Sequence, residues 1–195
     1  MPRPLTIGLT GGIAAGKSEA LAAFGRLGAA TISSDAVVHE LLEGEPLRSR
    51  LVERWGEDVA PDGRVDRNRI GSIVFADPGE LSWLEAQIHP LVGERIGAWL
   101  AALPEGTGTA VVEVPLLFES GRMAEVFDTT VAVVAAEELR RARAEARGHA
   151  LVGEREARQL SQEEKAARAE HAVVNDGQIE DLERELSTLL EKLGG

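Results

Sequence analysis

The stretch TIGLTGGIAAGKSEALAAF, Thr6 to Phe24, decides how this chain is read. It falls into three parts. Leu5 to Leu9 is a short apolar run that reads as a buried strand, a turn rich in glycine and alanine follows, and an amphipathic helix opens near Lys17. The spacing Gly11-x4-Gly16-Lys17-Ser18 is the phosphate-loop pattern. Glycines let backbone N–H groups turn inward around an anion, and the helix N-terminus adds the positive end of a dipole. In such a loop Lys17 reaches the β- and γ-phosphates and the Ser18 hydroxyl ligates magnesium. The same letters can arise in an ordinary strand–turn–helix with a surface lysine. Here they stand between a predicted strand and a predicted helix, as the motif requires, so nucleotide binding is expected.

The rest of the chain narrows the class. At 195 residues it reads as one domain, with room for a small inserted subdomain. An apolar share of 44% supports a proper core. The net charge of −12 argues against nucleic acid as a main partner, because phosphate backbones need a basic face. Within this acidic chain Arg140, Arg141, Arg143 and Arg147 crowd together, with Arg155 and Arg158 just after. Two readings stand for that cluster: it meets an anion, or it is a solvated helix face. There are no cysteines, which excludes disulfides and thiolate chemistry. No signal pattern and no membrane-length apolar run are found, so a cytoplasmic protein without a membrane partner is expected.

After the first helix, Ala29 to Ser33 reads as a second strand, and Asp35 opens a helical stretch. EPLRSRLVERWG is a further helix stopped by Gly56, and Pro61 to Asp66 is a turn, with Asp66 capping a helix through Phe75. In DPGE, Asp77 to Glu80, Asp77 is the N-cap, Pro78 the first helical residue and Glu80 the capping-box partner. Helical spacing then runs from Leu81 to Leu103, where Pro90 is expected to divide or kink the span. So long a helical region between strands reads as an insert. Thr109 to Val114, Thr129 to Ala135 and His171 to Asn175 are β-branched runs that read as buried parallel strands. The arginine-rich helix between the last two is broken at Gly148 and resumes after Gly153, and Ile179 to Leu193 is a final amphipathic helix. Strands alternating with helices mean an α/β fold with ligands at the carboxyl ends of its strands.

Candidates for chemistry gather at those ends. Asp35 can take a proton from a hydroxyl nucleophile, hold magnesium through water, or cap the next helix. Glu113 occupies the place of a magnesium-associated carboxylate, or pairs locally. PLLFESG, Pro115 to Gly121, puts three large apolar residues into a loop, as a pocket wall or as core packing. The four histidines, His39, His89, His149 and His171, lack the spacing of a zinc site, and His89 before Pro90 reads as structural. No G-x-S-x-G pattern marks Ser120 as a nucleophile.

Taken in order, GLTGGIAAGKS (Gly8 to Ser18), Asp35, IHP (Ile88 to Pro90), PLLFESG, Arg143 with Arg147, Gln159 with Lys165, and VVNDG (Val173 to Gly177) resemble the dephospho-coenzyme A kinases of the P-loop kinase superfamily. The resemblance covers nearly the whole chain. It implies a P-loop kinase-like, three-layer α/β fold with a central parallel sheet of about five strands, a helical substrate-binding insert and a helical lid. It also implies a single kinase domain, with its core near residues 1–35, 107–138 and 170–195, its insert near 60–105 and its lid near 139–165. The implied activity is transfer of the ATP γ-phosphate to the ribose 3′-hydroxyl of dephospho-coenzyme A, the last step of coenzyme A biosynthesis. ATP and dephospho-coenzyme A are the implied partners and magnesium the implied cofactor; no oligomeric state is implied.

The resemblance also implies residue roles. Gly11, Gly12, Ile13, Ala14, Ala15, Gly16, Lys17, Ser18 and Glu19 would surround the ATP phosphates, with Arg147 helping and Asn175 near the adenine. Asp35 would be the base towards the 3′-hydroxyl, and Lys17 and Arg143 would neutralise the transferring phosphoryl group. Asp35, His89, Pro115, Leu116, Leu117 and Glu119 would form the coenzyme A side. Ser18 would hold magnesium, with Asp35 or Glu113 acting through water. The family usually has Asp-x-Asp where this chain has Ser33-Ser34-Asp35, and a glycine where it has Ala14. Alanine serves there if its φ is negative, but not cheaply otherwise. A rival small-molecule or nucleoside monophosphate P-loop kinase is opposed by the long insert and the PLLFE loop. A nucleotide-binding protein with weakened catalysis is favoured only by Ser33 and Ala14.

Overall fold

β-Branched runs with no alternation of polarity need a sheet covered on both faces. The runs from Thr109 and Thr129 are buried in this way, whereas the run from His171, expected to be buried as well, forms an edge strand that buries only Val173. In the computed structural model, which describes residues 3–119, 123–146 and 159–194, the strands are β1 (Leu5–Gly11), β2 (Ala30–Ser33), β3 (Thr109–Glu113), β4 (Thr129–Val134) and β5 (His171–Val174). They form one sheet in the order β2-β3-β1-β4-β5, parallel throughout. The expected five-stranded parallel α/β fold is thus present. Helices α1 (Lys17–Arg26), α6 (Glu137–Ala146), α7 (Gln162–Arg168) and α8 (Ile179–Gly194) accompany the sheet. The expected break at Gly148, the resumption after Gly153, Ser120 and Arg147 fall outside the described residues.

This sheet unit comprises Met1–Ser33 and Leu103–Gly195. Its core forms where alternate strand residues, Ile7, Leu9, Val111, Val131, Val133 and Val173, meet Ala20, Ala23 and Phe24 of α1 and Leu182, Leu186 and Leu189 of α8. Both helices bury residues spaced at i, i+3 or i+4, as an amphipathic helix on a sheet requires. Each buried leucine contributes roughly 1.5–3 kcal/mol. Residues of the opposite parity, among them Ala110, Val112 and Ala132, are buried as well. At Gly8 the Phe127 ring comes so close that a Cβ would lie 2.7 Å from it.

Register fixes what meets at the carboxyl edge. Glu113 pairs with Leu9 on one side and with Ser33 on the other, and Gly11 pairs with Val133. β1 is flanked by β3 and β4 while its chain leaves for β2, so the order reverses at the strand carrying the phosphate loop. Ligands of open parallel sheets bind at such a switch point. At the opposite edge Asp128 accepts from the Thr6 N–H and hydroxyl, both at 2.8 Å, and from Arg3 at 2.6 and 2.7 Å.

A second unit, Ser34–Ala102, is wholly helical apart from short 3-10 turns. It contains α2 (Ser34–Glu43), α3 (Glu45–Trp55), α4 (Arg67–Ala76) and α5 (Pro78–Ala101). The Asp66 side chain caps α4 by accepting from the N–H groups of Asn68 and Arg69. Asp77 caps α5 by accepting from Gly79 at 2.7 Å. Two expectations are corrected here. Glu80 does not close a capping box: its carboxylate takes Arg54 and the Trp55 indole N–H, while the Asp77 N–H donates to the Ile73 carbonyl. Nor does Pro90 divide the span, because α5 runs through it as one helix. His89 and Pro90 are exposed while Leu84, Ile88 and Val92 form the buried stripe, so the carbonyl that proline leaves unpaired lies on the wet side.

Candidate active site

The phosphate loop leaves β1 at Gly11, where a Cβ would overlap the Val133 carbonyl oxygen. The chain then tightens: Gly12 N–H donates to Val133 at 3.3 Å and Ala15 N–H to the Gly12 carbonyl at 3.2 Å. Gly16, at φ 98°, is the N-cap of α1. Ala14 sits at φ 58°, in the left-handed region where a β-carbon costs about 1–2 kcal/mol. An alanine at this position therefore carries strain. Lys17 folds over the loop, its Nζ donating to the carbonyls of Gly11 at 3.2 Å and Gly12 at 3.0 Å. Ser18 is exposed in the first turn of α1, with Glu19 half-buried beside it.

Two further elements hold this loop. On α6, Arg140, Arg143 and Ala144 share one face by their i, i+3, i+4 spacing. Arg143 donates to the Ala15 carbonyl at 3.5 Å and to the Asn175 carbonyl at 3.1 Å. Asn175, just past β5, donates from Nδ2 to the Ala15 carbonyl at 2.8 Å. The structure thus brings Arg143, Asn175 and the loop together. At the start of α7, Gln162 pairs with both backbone groups of Ala135, donating at 2.9 Å and accepting at 3.1 Å. It lies so close to Gly12 that a Cβ there would meet it at 2.8 Å. An open cleft of about 420 Å³ adjoins the loop, lined by Gly12, Ile13, Glu137, Arg140 and residues 159–164. On its rim the Glu163 carboxyl is held below the usual range, first by its own backbone N–H and then by the Gln162 side chain.

The turn after β3, residues 115–119, is built from buried polar contacts. Lys165 is fully buried; its Nζ donates to the Pro115 carbonyl at 2.6 Å and pairs with Glu119 at 3.1 Å. The same Glu119 oxygen accepts from Leu160 N–H at 2.9 Å, and the Thr10 hydroxyl donates to Pro115 at 3.2 Å. Leu117 is fully buried, so its side chain belongs to the core, while Pro115 and Leu116 remain half-buried. Glu113 ends β3 as a buried carboxylate. The helical unit carries the other two candidates, both exposed: Asp35 in the first turn of α2 and His89 on α5.

Sequence reading missed Gln162 and the latch from Asn175 to Ala15, neither of which has a local signal. Nor does the fully buried Lys165. A lysine spaced like Ala169 and Leu160 on a half-apolar stretch resembles a surface residue, and only its partner on a distant turn reverses that.

A glycine-rich phosphate loop on the central strand of a parallel sheet, opening a helix, defines an α/β protein of P-loop kinase fold. The dephospho-CoA kinase family model matches residues 5–181, and the chain belongs to that family. It is 43% identical over 180 residues to the dephospho-CoA kinase of Symbiobacterium thermophilum, covering 89% of this chain and 75% of that protein. Among solved structures, a Thermus thermophilus protein aligns over the full length of both chains with a TM-score of 0.85 and 34% identity. The dephospho-CoA kinase from Campylobacter jejuni aligns over 97% of this chain and 96% of its own, with a TM-score of 0.71 and 25% identity. Kinases using ATP work with a divalent cation. Among the described residues no helix is long and apolar enough to cross a membrane.

Proposed function

We propose that this chain transfers the γ-phosphoryl group of ATP to the ribose 3′-hydroxyl of dephospho-coenzyme A, in the cytoplasm, giving coenzyme A and ADP. The observation that carries the reading is the loop Gly11 to Ser18 on the switch-point strand, in a chain of this family. The net charge of −12 supports a small-molecule acceptor over a nucleic acid.

The loop N–H groups and Lys17 bind the phosphates, and Arg143, already against the loop, neutralises charge on the transferring group. Arg147 and Asn175 complete the nucleotide side. The acceptor side uses Asp35, His89, Pro115, Leu116 and Glu119, with Leu117 behind as packing. The 3′-hydroxyl oxygen forms a bond to the γ-phosphorus, the bond from that phosphorus to the bridging oxygen breaks, and ADP leaves with the electron pair. Asp35 takes the hydroxyl proton; its place two residues past the carboxyl end of β2, exposed to solvent, supports that role.

The residues fit magnesium. This cation is usually held by one or two protein oxygens plus phosphates and water, and the exposed Ser18 hydroxyl in the first turn of α1 and the Glu113 carboxylate at the end of β3 are oxygens of that kind. Ser18, with Glu113 or Asp35 through water, would hold it. When bound it supplies charge neutralisation on the phosphates.

Asp35→Asn tests the mechanism. It should lower kcat about 10²-fold or more with KM for ATP little changed. Near-normal turnover would leave Asp35 only a residue of the first helical turn.

A further inference from the structure

Asn175 is buried, with 6% of its surface exposed, and is fixed at both backbone ends. Its N–H donates to the Val134 carbonyl at 2.8 Å, and its carbonyl accepts from Arg143. From there its side chain reaches a residue 160 positions earlier, giving Nδ2 to the Ala15 carbonyl. The next residue, Gly16, lies so close that a Cβ would overlap the same Nδ2. The Ala15–Gly16 peptide is trans, so its C=O and N–H point to opposite sides. Drawing the Ala15 carbonyl towards Asn175 turns the Gly16 N–H to the opposite side.

We propose that Asn175 is a positioning residue for the phosphate loop, and that it governs nucleotide affinity through the Ala15–Gly16 peptide rather than by reading the base. The proposal rests on the nucleotide-binding reading above. Three features support it. The amide is engaged with backbone, its donor contact is a normal hydrogen bond, and the glycine beside it leaves room for nothing but that amide. Arg143 contacts the same carbonyl and the Asn175 backbone, so the loop, β5 and α6 meet at one peptide.

The test is calorimetric titration of the full chain with magnesium ADP and magnesium GDP, for the wild type, Asn175→Ala and the isosteric Asn175→Asp. The aspartate keeps the shape but has no hydrogen to donate, and it covers the case in which alanine fails to fold. The expected result is a loss of roughly tenfold in affinity, the scale of one buried hydrogen bond, equal for ADP and GDP in both variants. KM for dephospho-coenzyme A should stay within about twofold, because a local shift of the loop leaves the acceptor untouched. An unchanged ADP affinity would overturn the inference, as would a loss for ADP without one for GDP, which would make Asn175 a base reader. An equal loss for dephospho-coenzyme A would also overturn it, as general loosening. A wild type that binds neither nucleotide would instead overturn the underlying reading.

Discussion

Two turns leave neighbouring strands at the same edge of the sheet, and they take their shape in different ways. The loop after β1 is shaped by its backbone: Gly11 and Gly16 admit conformations and approaches that a β-carbon would block. The turn after β3 is held by side chains, through the buried Lys165 with Glu119 and the Pro115 carbonyl. The first leaves its shape to glycine geometry, while the second spends its polar groups on one another. A phosphate site needs the former and a supporting wall the latter.

The largest expected effect lies on the side-chain turn. Lys165→Met leaves the Glu119 carboxylate, 16% exposed, without its cation, and the Pro115 carbonyl without its ammonium donor. Removing one partner of a buried pair costs about 3–5 kcal/mol. Urea unfolding should show that loss, and adding Glu119→Leu should recover part of it. An unchanged midpoint would mean backbone holds this turn too.

The counterpart on the backbone-shaped loop is Gly16→Ala. Overlap with Asn175 at a positive φ should weaken ADP binding by about 10²-fold, or about 2.7 kcal/mol. An affinity within a few-fold of wild type would remove the contrast between the two turns.

A smaller effect belongs to the far edge of the sheet. Asp128 is held down to a pKa of about 2 from its ordinary 3.8, first by hydrogen bonding to Arg3 and then by the Thr6 N–H and hydroxyl, against a desolvation that raises it. A depressed carboxyl stabilises the fold above the unfolded value and loses that contribution as pH falls through the folded one. Asp128→Asn should therefore cost about 1–2 kcal/mol near neutral pH, allowing for the exposure of Arg3, with the difference fading between about pH 4 and pH 2. Melting curves of both proteins across that range would check it, and a pH-independent difference would contradict it.

The smallest effect is a gain. Ala14→Gly relieves the left-handed alanine and should raise stability by about 0.5–1 kcal/mol, the freer unfolded chain offsetting part of the relief. A lower melting temperature would show that Ala14 is not strained.

The contrast between the turns also explains what was legible in the sequence. Gly11, Gly16, Lys17 and Ser18 can be read because their chemistry is backbone geometry at fixed spacing. The strands were legible because runs such as Val111 and Val112 or Val131 and Val133 suit only a covered sheet. Asp66 and Asp77 announced their caps for a similarly local reason. Glu80 misled, and the division expected at Pro90 did not occur, because local rules gave way to tertiary ones: Arg54 and Trp55 drew away the carboxylate, and solvent tolerated the proline within one helix. Lys165 and Asn175 act on partners 50 and 160 positions away, which no local pattern encodes. Ala14 was read as a conditional change, and only its φ of 58° settled the condition.

The central claim is that the phosphate held by Gly11 to Ser18 is delivered to a ribose 3′-hydroxyl. Purified protein with magnesium, ATP and dephospho-coenzyme A should release ADP and yield a product heavier by one phosphoryl group, whose phosphorus NMR signal places the new ester at the 3′ position. Nucleotide binding without that product, or faster turnover with AMP or shikimate as acceptor, would contradict the account.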